Sequence, residues 1–128
     1  MSRSRVLADL GGQSLATDSE VSAAISAANN VVLNAQGGSY TLVLLDSGRQ
    51  VEMSGGGTLT VPLNSSVAFP VGSSVLIVQT GATQVTVAGA GGVTVNSSNG
   101  LKMFGQWSSA LLVKRAENIW LLAGDTAP

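Results

Sequence analysis

The sequence predicts a mainly β protein: an antiparallel β-sandwich or barrel of short strands, preceded by an N-terminal arm and one short helix. Three observations carry this expectation. The apolar period changes from helical to two after Val31, as it does where a helix gives way to half-buried strands. Turn-forming residues then recur at close intervals, eight residues apart in the stretch 85–103, a step too short for the helix of a parallel crossover. Apolar residues make up 45% of the 128 and charged residues only 10%, well under the roughly 25% of an average globular chain. There is material for one core, and a surface so poor in charge is expected to be covered in part by neighbouring subunits.

Residues 1–16 read as an irregular arm. Thr17 followed three residues later by Glu20 is a capping box, and Asp18 adds negative charge where a helix start is positive. Val21, Ala24, Ile25 and Ala28 then form one apolar stripe, ended by Asn29 and Asn30. About three turns of helix do not hold alone in water. The stripe packs either on its own domain or against two copies of itself around a threefold axis. The expected division is at residue 35, with 1–35 serving attachment and oligomerisation and 36–128 forming the β domain.

Within the β domain, "SYTLVLL" reads as a strand and "RQVEM" as its return, joined by a turn at Asp46-Ser47-Gly48 in which Gly48 supplies positive φ. Leu59 to Val61 is a short alternating piece stopped by Pro62. "SSVLIVQT" is apolar enough to be central. Val85-Thr86-Val87, Val93-Thr94-Val95 and Leu101-Lys102-Met103 recur every eight residues, each with its outer two residues facing in. They predict a meander of short strands, with the rungs of a small solenoid as a second arrangement. Ala110 to Arg115 and Ile119 to Ala123 form a final hairpin.

The same composition removes whole classes of chemistry. With neither His nor Cys, the usual zinc and copper ligands, the base of a serine or cysteine triad and every disulfide are missing. The six basic residues are scattered, without the stripe that a nucleic-acid backbone requires. The longest apolar runs are far short of a membrane span. No catalytic, cofactor or metal residues are expected, and no cofactor.

Two stretches invite a sharper reading. "LLDSG", Leu44 to Gly48, has the form of the catalytic loop of a retroviral-type aspartic protease, in which a twofold dimer pairs two carboxylates that share a proton. Asp46 would be that carboxylate, Gly55 to Gly57 the flap, and "LLAGD" the late apolar-Gly segment. The fit fails: Arg49 and Gln50 stand where that family has a small residue and an acid, Arg49 would hold Asp46 ionised, and the glycines follow too soon. A turn between strands explains every residue of the stretch. The other stretch concerns the two tryptophans. Trp120 alternates into a strand and is expected in the core, whereas Trp107 lies near a turn, where an exposed ring would suit a sugar.

The segment from Tyr40 to Asp125 resembles a β module of tailed-bacteriophage virion structural proteins, found in tail-fibre-like, head-fibre and capsid-decorating polypeptides. Three stretches carry the resemblance: "VPLNSSVAFPVG" (61–72), "QTGATQVTVAGAGGVTVNS" (79–97) and "LVKRAENIWLLAGD" (112–125). The segment spans about two thirds of the chain, and what is shared is a pattern of turns and strands. The resemblance implies a non-enzymatic structural role at the surface of a phage particle, as a capsid decoration or head-fibre protein. Arg3, Arg5, Val6, Leu7 and Leu10 would dock on a capsid or tail protein, and Val21, Ala24, Ile25 and Ala28 would form a homotrimer seam. The alternative is a tail-fibre or receptor-binding module that contacts host glycans. The dimeric aspartic protease is the distant alternative.

Overall fold

A computed structural model of the chain describes residues 17–128, with 24–29 described by their backbone alone. The chain divides between Val31 and Val32 into two units. The first contains helix α1 (Asp18–Asn29). It opens on the expected capping box: the Glu20 amide donates to Thr17 Oγ1 at 3.2 Å, and the Thr17 amide donates to Glu20 Oε2 at 3.4 Å. Two N–H groups that a helix start leaves without partners are thereby satisfied. Val21 is exposed. The side chains of Ala24, Ile25 and Ala28, and the arm residues Arg3, Arg5, Val6, Leu7 and Leu10, lie outside the described residues.

The second unit holds eleven strands: β1 (Leu33–Gln36), β2 (Tyr40–Thr41), β3 (Gln50–Met53), β4 (Gly57–Val61), β5 (Ser74–Gln79), β6 (Val85–Gly89), β7 (Thr94–Asn96), β8 (Lys102–Met103), β9 (Ser109–Ala116), β10 (Ile119–Gly124) and β11 (Thr126–Ala127). They form a six-stranded sheet in the order β1-β3-β5-β9-β10-β7 and a five-stranded sheet in the order β11-β8-β6-β4-β2. Because β1 already belongs to the sheet, the β unit begins at Val32, before the expected boundary at 35.

The expectation of a mainly β chain with two sheets around one core holds. The pairing, however, is mixed and not antiparallel throughout: among the described residues five strand pairs run parallel and four antiparallel. The first six strands alternate between the sheets. β1, β3 and β5 stack in parallel in one sheet, and β2, β4 and β6 stack in parallel in the other. Each pair is one rung of a short two-sheeted coil. A parallel neighbour needs a crossover, and here the crossover is a strand of the facing sheet, which needs no helix. The hairpin β9–β10 then closes the six-stranded sheet by adding β9 antiparallel to β5.

The eight-residue triplets consequently do not make a meander. β6 and β8 are neighbours in one sheet, while β7 lies in the other, parallel to β10. Their inward alternation is nevertheless as expected: Val85, Val87 and Met103 are buried, and Val93, Val95 and Leu101 pack against the core. The period of a strand sets which face is apolar. It does not set the neighbour, which depends on where the Gly-rich turn sends the chain. Likewise "SYTLVLL" and "RQVEM" are not a hairpin, since β2 and β3 belong to different sheets. "SSVLIVQT" is central as expected, flanked by β3 and β9, and the final hairpin forms, with Asn118 at φ +58 in its turn.

The core draws on both sheets, including Val51, Met53, Val75, Ile77, Leu112, Trp120 and Leu122 from one and Leu59, Val61, Val85, Val87 and Met103 from the other. Each such side chain contributes about 1.5–3 kcal/mol by leaving water. The corners between sheets are stacked backbone. A Cβ on Gly55 would lie 1.9 Å from the Gly37 carbonyl oxygen, and one on Gly81 1.8 Å from that of Ser54. The glycines at 55–57 are therefore the corner leading into β4.

Candidate functional site

Three places hold side chains with chemistry to offer. The first is Asp46. Leu44–Asp46 form a single 3-10 turn between β2 and β3, and Asp46 is only 1% exposed. Its Oδ2 accepts from the Tyr40 hydroxyl at 2.7 Å and the Val43 amide at 2.9 Å, and its Oδ1 accepts from Asn34 Nδ2 at 2.9 Å. Asn34 in turn accepts from Gln36 Nε2 at 2.8 Å. Burial, then the hydrogen bond to Asp46, raises the Tyr40 pKa above its ordinary value, although the Asn34 bond pulls the other way. Gly48 has the expected positive φ, +77°, and its amide donates to the Ser74 carbonyl at 2.7 Å. Both carboxylate oxygens are engaged in tying the 3-10 turn to β1 and β2, so "LLDSG" is an inter-sheet connection built on a buried acceptor, and the hairpin turn read from sequence is corrected.

The second is Lys114, 3% exposed in β9. Its Nζ donates to Asn64 Oδ1 at 2.5 Å and to the Phe69 carbonyl at 2.7 Å. The Asn64 amide donates to Asn118 Oδ1 at 2.8 Å, and Phe69 meets Trp120 edge-on with ring centroids 5.3 Å apart. Trp120 is buried, as its alternation predicts. The residues of 61–72 and 112–125 thus meet around one buried ammonium. Gln79, fully buried, does similar work for the stretch that follows it: its Oε1 accepts from the Val85 amide and its Nε2 donates to the Gly81 carbonyl, both at 3.0 Å. These polar groups are spent on holding loops, which leaves the cluster little to offer a substrate.

The third is on the surface. Trp107 is 70% exposed and Phe104 75%. They line a groove of about 440 Å³ together with Asn99, Gln106, Asp125 and Thr126. Trp107 stands at φ +67°, a region that costs a bulky residue of order 1–3 kcal/mol. The surrounding backbone imposes it: the Trp107 amide donates to the Gln79 carbonyl at 2.6 Å and the Ser108 amide to that of Gly105 at 3.1 Å, while Gln106 Nε2 donates to the Thr80 carbonyl at 3.0 Å. The Phe104 amide donates to the Asp125 carbonyl at 3.0 Å. The Asp125 carboxylate is exposed and only loosely held, 3.5 Å from the Ser109 amide.

The sequence pointed to Trp107 but not to Phe104. The signal was present: Lys102 faces out and Met103 in, which turns Phe104 outward. Among the described residues no group of three His, Cys, Asp or Glu side chains could hold a metal ion, and no helix is long and apolar enough to cross a membrane. No protein-family model, no curated protein and no solved structure matches this chain.

Proposed function

We propose that the chain is a structural protein of a tailed-bacteriophage particle, a capsid decoration or head-fibre protein that displays its β unit at the particle surface. It assembles as a homotrimer and attaches to a capsid or tail protein through Arg3, Arg5, Val6, Leu7 and Leu10. It works by shape and buried apolar area, without turnover. The resemblance of residues 40–125 to virion modules supports this reading, and so does the use of the resembling stretches to hold the β unit together.

One observation carries the self-assembly. β1 and β2, the strands of the first rung, are the end strands of their two sheets. Beside them Val32, Leu33, Val43, Leu44 and Leu45 are all exposed, Leu45 by 70%. The Asn34–Asp46 hydrogen bond ties the Leu44–Leu45 turn to β1. Apolar side chains grouped beside strand edges that have no partner strand among the described residues are a surface suited to being covered, and copies of the chain in closed symmetry cover it without leaving an open end.

Native mass spectrometry of the full chain tests this. The expected mass is that of three chains, and Leu44→Asp with Leu45→Asp lowers it while the β-sheet circular dichroism spectrum is kept; the melting temperature falls with the lost assembly. A wild-type mass of one chain at millimolar concentration overturns the assembly.

A further inference from the structure

We infer that the groove lined by Phe104 and Trp107 is a binding site for a neutral saccharide. Trp107 occupies strained backbone, at φ +67°, and its indole remains largely in water. Glycine would fit that backbone without strain, so the backbone conformation does not call for the ring. Phe104, which lines the same groove, is likewise largely exposed. Rings held outward by a fixed backbone are suited to a ligand rather than to a core.

The polar groups define the ligand. Asn99, Gln106 and Asp125 lie beside the two rings. A pyranose ring has apolar C–H faces that lie against an aromatic ring and a rim of hydroxyls that donate and accept together. Amides answer both roles, and a carboxylate is a strong acceptor for hydroxyl donors. Asp125 is the one charged residue among those lining the groove. Among the described residues no cation lines the groove, so a sulfated, phosphorylated or sialylated chain would meet repulsion from Asp125 with no positive charge to offset it. The volume, about 440 Å³, falls in the range of small-ligand sites, roughly 300–1,000 Å³. It has room for a short run of sugar rings. The site does not depend on the attachment proposed above, because a module held anywhere would carry it.

The test is retention of the full chain on an array bearing neutral and acidic glycans, with Trp107→Gly and Phe104→Ser beside it. Wild type is retained on neutral glycans in preference to acidic ones, and each variant loses retention at least tenfold. Trp107→Gly melts no lower than wild type, since glycine relieves the backbone, and its assembly mass is unchanged. Absence of wild-type retention on every neutral glycan overturns the inference, as does undiminished retention of either variant. A lower melting temperature for Trp107→Gly would make the ring structural, and a changed assembly mass would place it against a second copy. Either result overturns the inference as well.

Discussion

Lys114 donates its ammonium to the backbone carbonyl of Phe69 at 2.7 Å, within the same buried cluster in which the Phe69 ring meets Trp120. The long connection between β4 and β5 is thereby fastened to the closing hairpin by the Lys114 side chain, alongside the Asn64–Asn118 bond and the Phe69–Trp120 contact. The fastening continues along the backbone: the Gly72 amide donates to the Lys114 carbonyl at 2.8 Å and the Lys114 amide to that of Ser73 at 2.9 Å. A buried cation without a carboxylate beside it is uncommon. Here the buried Phe69 carbonyl and the part-buried Asn64 Oδ1 accept hydrogen bonds from it.

Lys114→Met keeps most of the stem and removes the donor. It strands the buried Phe69 carbonyl, where an unsatisfied acceptor costs about 1–3 kcal/mol, and leaves the part-buried Asn64 Oδ1 without its donor. We expect the midpoint of urea unfolding to fall by an amount equivalent to at least ~1 kcal/mol, with an unchanged denaturant slope. A loss under ~0.5 kcal/mol would mean that water replaces the ammonium and that the cluster holds the connection by its apolar contacts alone.

How much of this was legible in the sequence divides by range. Local features were: the Thr17–Glu20 capping box, the β9–β10 hairpin, the positive φ of Gly48 and the burial of Trp120 all depend on residues close in the chain. Neighbour relations were not. Val93-Thr94-Val95 shows which residues face in, but whether its strand lies beside β6 or in the facing sheet is decided by pairing with β10, residues away. The same holds for the site. Trp107 could be singled out because it stands near a turn, whereas the role of Asp46 depends on Asn34 and Tyr40 reaching it from the two strands of the first rung, which lie in different sheets. Lys114 reads as an ordinary surface cation until Asn64 and Phe69 are brought over it.

The rung corners give a second prediction, since their geometry is set by backbone passing over backbone. An added methyl at Gly55 would sit 1.9 Å from the Gly37 oxygen, and at Gly81 1.8 Å from the Ser54 oxygen, whereas at Gly37 nothing lies within 4 Å. Gly55→Ala and Gly81→Ala should each destabilise by about 1–3 kcal/mol or more, because a carbonyl in a stacked corner cannot move aside as a flexible side chain can. Gly37→Ala should stay within ~0.5 kcal/mol of wild type, as surface changes usually do. Equal melting temperatures for Gly55→Ala and Gly37→Ala would show that the corners are looser than the stacking implies.

The Tyr40–Asp46 pair gives a third prediction, in alkaline pH dependence. The folded phenol has its pKa raised above the ordinary 10.0, first by burial and then by the bond it donates to Asp46. A group whose folded pKa is raised binds its proton more tightly in the folded state. Its contribution is therefore complete below the unfolded value and is lost as pH rises from there through the folded value. Wild type should lose stability on going from about pH 9 to about pH 11, in part because Tyr40 ionises more readily when the chain unfolds. Tyr40→Phe should start lower, by about 0.5–1.5 kcal/mol for the lost hydrogen bond, and should then decline less over the same interval. The lysines titrate in both proteins, so the difference between the two curves isolates Tyr40. Parallel curves above pH 10 would mean that the phenol ionises equally easily in folded and unfolded chains, and that the Asp46 corner does not hold its proton.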